Sequence, residues 1–244
     1  MQIILTHDVD SVSKPIGHVL KRWRRFSLGD LLMHIFGFKS LYNNLRELER
    51  LEDKYGYRST IFVPVVLFPI SSISDQLLRM ARNGWEIGLH FVVEGHQTRS
   101  LIMMEKDRLE DIFGKIHGVR THMLAASDRL LEEYWKAGFK YDSSIRVEEC
   151  SRYETYKVCG DMMEIPIGLM DADMFGRMNM NEDDAWKYMT RKIENAEKMG
   201  AEQFTVLFHQ ESLRMKGGRL YKRLLEYLSE ENYKVSRCID ALRS

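Results

Sequence analysis

The sequence predicts an α/β fold, a distorted (β/α) barrel of about seven parallel strands in one domain. Three observations predict it. Short apolar runs alternate with longer segments of helical period, and most of those helical segments stop at a glycine. No Pro/Gly/Ser-rich linker and no internal repeat divides the 244 residues. Strand–helix units of this length require right-handed crossovers and therefore a parallel sheet. A doubly wound open sheet is the second architecture the pattern allows.

The elements follow in order. Gln2–Thr6, Thr60–Val65, Glu86–His90, Glu164–Ile167 and Gln203–Phe208 read as strands, with a short stretch at Gly118–Arg120 and a last one at Tyr233–Ser236. Leu41–Lys54 reads as a helix because Leu41, Leu45 and Leu48 fall on one face. Ser74–Asn83 stops at Gly84, and Glu105–Phe113 stops at Gly114. Ser127 caps Asp128–Ala137, which stops at Gly138. Asn181 precedes Glu182, Asp183 and Asp184, acids suited to the positive end of a helix that runs to Met199 and closes at Gly200. A last helix follows Gly218.

Before the second unit lies a helical insertion at about 14–39. It contains Lys21-Arg22-Trp23-Arg24-Arg25 and then Leu31, Leu32, Ile35 and Phe36. A hairpin with a solvated basic face is the plain reading. The same pattern suits a lid that attracts an anionic glycan, or a peripheral contact with a membrane surface.

Bulk composition excludes several classes. Lys plus Arg balance Asp plus Glu at 36 each, so no global positive field favours nucleic acid. The stretch from Thr60 to Ile70 is too short to span a bilayer and contains Pro64 and Pro69. The opening MQIILTHDVD lacks a basic n-region and a sustained apolar run, so a cytoplasmic location is expected. Cys150, Cys159 and Cys238 have no metal-cluster spacing and do not form a disulfide framework.

Reactive groups in either architecture belong at the carboxyl ends of the parallel strands. Four strand ends meet that expectation: Asp8 and Asp10, His90, Arg120 with His122, and His209. Each has an ordinary explanation alone, a loop histidine or an N-cap aspartate. Together they require four such coincidences. Asp8 and Asp10, spaced i, i+2, point the same way off a pleated strand. Two carboxylates that close raise each other's pKa unless a cation lies between them. A divalent metal with Asp and His ligands supplies that charge and acidifies water. The remaining carboxylate is then available as a base, and a histidine on another strand as an acid.

This order of motifs resembles the polysaccharide deacetylase family, the NodB-homology fold of carbohydrate esterase family four, from about Gln2 to Ser212. Thr6-His7-Asp8-Val9-Asp10 resembles the family's aspartate pair, with Asp8 as general base and Asp10 as metal ligand. Trp85-Glu86-Ile87-Gly88-Leu89-His90 is similar to the first half of its histidine motif, with His90 as a ligand. Where the family has a second histidine this chain has Glu94. The resemblance makes His96 the third ligand, with Glu94 and His122 as alternatives. Gly118-Val119-Arg120-Thr121-His122 keeps the family's arginine, which orients the base, and replaces its proline with His122. His122 could equally donate to substrate. Tyr141-Asp142-Ser143-Ser144 resembles a segment beside the substrate groove, and Leu207-Phe208-His209 the final motif with the general acid.

The resemblance implies a metal-dependent hydrolase that removes acetyl groups from an N- or O-acetylated carbohydrate, and the Asp and His donors suit zinc, or another first-row divalent metal, as its cofactor. Two other readings stay open: a metal-independent carbon–nitrogen hydrolase on this fold, and a non-catalytic carbohydrate-binding relative.

Overall fold

The computed structural model describes residues 1–21, 23, 26–36, 38, 40–93 and 99–242. The chain starts with β1 (Gln2–Asp8) and passes through α1 (Ile16–Lys21), α2 (Leu28–Ile35) and α3 (Leu45–Asp53) to β2 (Thr60–Val63). Next come α4 (Ser74–Arg82), β3 (Glu86–Phe91), α5 (Arg99–Phe113), β4 (Gly118–Thr121), α6 (Asp128–Lys136), β5 (Tyr141–Asp142) and α7 (Val147–Cys150). The hairpin of β6 (Tyr156–Cys159) and β7 (Met162–Glu164) precedes β8 (Ile167–Met170), α8 (Glu182–Lys198) and β9 (Gln203–His209). The chain closes with α9 (Lys216–Glu230), β10 (Lys234–Ser236) and α10 (Cys238–Ala241).

Among the described residues all the strands join one sheet in the order β6-β7-β5-β4-β3-β2-β1-β9-β8, and only the β6–β7 pair is antiparallel. β10 pairs with the first half of β1, on the edge that β2 takes over at Thr6. Beyond β5, the Ile167 amide donates to the Ile145 carbonyl at 2.9 Å, and Arg146 forms a parallel bridge with Ile167. The curled sheet thus comes back on itself. The ring consists of β1, β2, β3, β4, β5, β8 and β9, a distorted (β/α) barrel.

Side-chain alternation explains the layers. Ile3 and Leu5 of β1, Ile61 and Val63 of β2, and Leu89 of β3 face outward and bury against the helices in the main core. The opposite face of the same strands carries Ile4, Thr6 and Asp8, then Phe62, then Glu86, Gly88 and His90. Deep in the barrel, Ile4, Phe62, Tyr141 and Ile165 pack together and are plugged by Cys238 and Ala241 of α10. Gly118 is required there. A Cβ on it would stand 1.9 Å from the Tyr141 ring.

Several expectations need correction. Glu164–Ile167 is not one strand: Pro166, which has no N–H to donate, separates β7 from β8. β2 likewise ends before Pro64, not at Val65. The helix read from Leu41 begins at Leu45, and Leu41 instead packs under the insertion with Val19, Phe26, Leu31 and Tyr42. α5 starts six residues earlier than its apolar period indicates, at Arg99. The caps at Ser127 and Asn181 form as read, accepting the Leu130 and Asp184 amides. All three cysteines are free thiols. Among the described residues no helix is long and apolar enough to cross a membrane.

Candidate active site

The sheet order places β4, β3, β2, β1 and β9 side by side, and parallel register aligns their carboxyl ends. Asp8 of β1 is level with His209 of β9, and His90 of β3 is level with Arg120 of β4. Curling of the sheet then brings these ends to one mouth of the barrel.

Asp10, His90 and His122 meet at the centre. His90 Nε2 lies 3.1 Å from Asp10 Oδ1 and 3.1 Å from His122 Nδ1, and His122 Nδ1 lies 3.3 Å from Asp10 Oδ1. Donor atoms bound to zinc at about 2.0–2.1 Å stand roughly 3.3 Å apart at the corners of a tetrahedron. One carboxylate and two imidazoles at these separations fit a single divalent cation with an open position. His90 Nδ1 is buried and has no hydrogen-bond partner among the described residues. Burial works to raise the Asp10 pKa, but hydrogen bonds with His122 and His90 outweigh it and hold the group well below the usual carboxylate range. The same contact with Asp10 raises His122.

On one side stands Asp8, fully ordered from behind. Arg120 Nη1 donates to Asp8 Oδ1 at 2.9 Å and to Thr6 Oγ1 at 3.0 Å. The rest of the guanidinium is held by Ser143, Nε on its carbonyl and Nη2 on its hydroxyl, both at 2.7 Å. The group stacks over the Phe62 ring at 4.2 Å. Asp8 Oδ2 turns toward the centre, 3.9 Å from His90 Nε2.

On the other side, His209 Nε2 lies 3.6 Å from Asp10 Oδ2. Its Nδ1 is 2.6 Å from Asp171 Oδ1, and its backbone N–H donates to Asp171 Oδ2 at 3.1 Å. Ser212 Oγ lies 2.7 Å from the same Oδ2. Burial works to lower the His209 pKa, but the Asp171 carboxylate, helped by Asp8 and Asp10, raises it well above the ordinary histidine value. Beside it, burial and the charge of Asp10 push Glu211 up to about 8.

The structure therefore gathers Asp8, Asp10, His90, Arg120, His122 and His209 at one site. His96 and Glu94 lie outside the described residues. Tyr141 and Asp142 do not line a groove. Both are fully buried: the Tyr141 hydroxyl donates to Glu86 at 2.8 Å, and Asp142 accepts from the Ser144 hydroxyl at 2.7 Å. Asp142 adjoins Glu164 of β7, and Ser143 and Ser144 between them brace Arg120 and the Thr121 amide. The segment resembling a groove wall is thus the backing of the arginine.

Sequence reasoning gave no role at the centre to two residues: Asp171, read as part of a loop of capping acids or of substrate contacts, and Gln210. Asp171 sits after a strand end, as the catalytic candidates do, but its loop also reads as ordinary capping acids. Gln210 follows His209 and is fully buried; its amide donates to the Ser11 and Tyr42 carbonyls and accepts from the Asn44 amide. It clamps both ends of the 14–39 insertion beside the site. His7 lies between Thr6 and Asp8 in sequence but takes no part in the site. It points off the other face of β1 into a buried cluster with Glu52 and Tyr221.

No family model and no curated protein matches the chain. Solved structures do. A proposed polysaccharide deacetylase from Mycobacterium smegmatis is 17% identical, with a TM-score of 0.72 over 99% of this chain and 88% of that one. A peptidoglycan deacetylase from Bacillus subtilis is 13% identical, with a TM-score of 0.56 over 99% and 90%. A pseudoenzyme of carbohydrate esterase family four from Bacillus anthracis is 14% identical, with a TM-score of 0.56 over 99% and 65%, and a variant of it with restored activity aligns at 0.61. The chain has the polysaccharide deacetylase fold of carbohydrate esterase family four.

Proposed function

We propose that this chain is a metal-dependent deacetylase that hydrolyses an N- or O-acetyl group on a carbohydrate, and that it does so as one domain. The observation that carries the reading is the convergence of Asp10, His90 and His122 on one point, flanked by the Asp8–Arg120 and His209–Asp171 pairs. Asp10, His90 and His122 would hold the metal, zinc by the donor set, with His122 in the place the family gives to a second histidine of the His90 motif. The metal would supply Lewis acidity, polarising an acyl carbonyl and acidifying water.

The chain's own groups perform the proton transfers. Arg120 and Thr6 engage Asp8 Oδ1, which leaves Oδ2 aimed at the centre to accept the proton of an attacking water. Asp171 fixes the His209 ring and favours its protonated form, so that Nε2 donates to the nitrogen or oxygen that departs as the acyl bond breaks. The likeness to peptidoglycan and polysaccharide deacetylases supports a sugar substrate.

The experiment is acetate release from acetylated chito-oligosaccharides and smaller acetylated sugars, before and after chelation and zinc return. Zinc-restored release supports the reading. Glycan binding without turnover at any metal loading would place the chain with the pseudoenzyme seen among its structural neighbours.

A further inference from the structure

The two helices of the insertion present their apolar residues outward. On α2, Leu28, Leu32, Ile35 and Phe36 share one face by their i, i+4, i+7, i+8 spacing, and all are exposed, Leu28 at 71% and Phe36 at 68%. On α1, Ile16 and Leu20 are exposed in the same way. The packing of this hairpin is already satisfied by Val19, Phe26, Leu31, Leu41 and Tyr42. The outward set is therefore a surplus that the fold does not use. Half of the exposed large apolar side chains among the described residues fall between Ile16 and Phe38. Single exposed apolar residues are ordinary, but several on one helix face, as on α2, mark an interaction surface.

Charge identifies the occupant. The chain is neutral as a whole, yet segment 14–39 carries Lys14, Lys21, Arg22, Arg24, Arg25 and Lys39 against a single acid, Asp30. Outward apolar residues on a segment whose sequence carries a local excess of cations fit the boundary of a bilayer with anionic headgroups. A second copy of this chain would carry the same excess of positive charge in this segment.

We propose that α1 and α2 dock the protein on an anionic lipid surface. The Gln210 amide, one residue from His209, joins Ser11 at one end of the insertion to Tyr42 at the other. Docking there holds the mouth of the barrel beside the headgroups, whether or not the site turns over.

The test is co-sedimentation of the full chain with vesicles of phosphatidylcholine, with and without a minority of phosphatidylglycerol. We expect sedimentation with the anionic vesicles, release by salt, and little association with the neutral ones. Leu32→Glu with Phe36→Glu should lower the partition about tenfold or more, because two apolar side chains no longer enter the interface. Lys21→Gln should lower it about fivefold on anionic vesicles only. Both variants should melt like the wild type, since the side chains are exposed. No sedimentation with anionic vesicles, or equal sedimentation with neutral ones, would overturn the proposal. So would a dimer that the Leu32/Phe36 variant splits without any vesicle association, which would show a second copy covering this face.

Discussion

His209 Nδ1 and Asp171 Oδ1 lie 2.6 Å apart, between the carboxyl ends of the neighbouring strands β9 and β8. The Asp171 carboxylate raises the His209 pKa against the opposing effect of burial. Asp171→Asn removes that charge and keeps the shape. The alkaline limb of kcat/KM, on which His209 loses its proton, should then move to lower pH. His209→Gln should cost about 10²–10⁴-fold in kcat, the usual span for general acid catalysis. An alkaline limb unmoved by Asp171→Asn would remove His209 from the role of acid.

Asp8 and Asp10 should separate cleanly. Asp8→Asn should retain metal, by mass spectrometry of the purified protein, and lose turnover. Asp10→Ala and His122→Ala should lose metal affinity by more than the roughly 10–100-fold typical of outer-shell partners. Full activity of Asp8→Asn would show that another group takes the proton.

Arg120 is a fully buried cation whose partners are Asp8, Thr6 and Ser143. Arg120→Met leaves the buried Asp8 without its counter-charge and should cost about 3–5 kcal/mol, measured by denaturant unfolding. Combining it with Asp8→Leu should restore most of that stability without restoring activity. A loss under about 1 kcal/mol in the single variant would show that Asp8 does not depend on the arginine.

Glu164 gives a pH prediction away from the centre. Burial and the adjacent Asp142 carboxylate push its pKa well above the usual carboxylate range. A raised folded-state value means the folded protein holds the proton more tightly than the unfolded chain. That stabilisation is complete below about pH 4.3, the unfolded value, and is lost as pH rises through the folded one. Glu164→Gln mimics the protonated acid. Its thermal stability should fall less than the wild type's between acid and alkaline pH, and equal slopes would contradict the assignment.

The sequence made the strand ends legible because parallel strands are short, apolar and followed by polar loops. Asp8, His90, Arg120 and His209 are found by that rule alone. The barrel interior was harder to read. β5 has only two residues, and the β6–β7 hairpin breaks the strand–helix rhythm. Tyr141 and Asp142 lie next to Ser143 and Ser144, which brace Arg120 and the Thr121 amide from behind, and sequence adjacency does not tell an inward brace from a groove wall. Asp171 and Gln210 escaped because their roles are made by partners 38 and 199 residues away.

The central claim is that Asp10, His90 and His122 together hold one divalent cation. A crystal structure of the zinc-loaded protein tests it most directly. We predict one Asp10 oxygen and the nitrogens His90 Nε2 and His122 Nδ1 bound to the ion, the nitrogens at about 2.0–2.1 Å. An ion held by His96 or Glu94, with His122 turned away from it, would contradict the account.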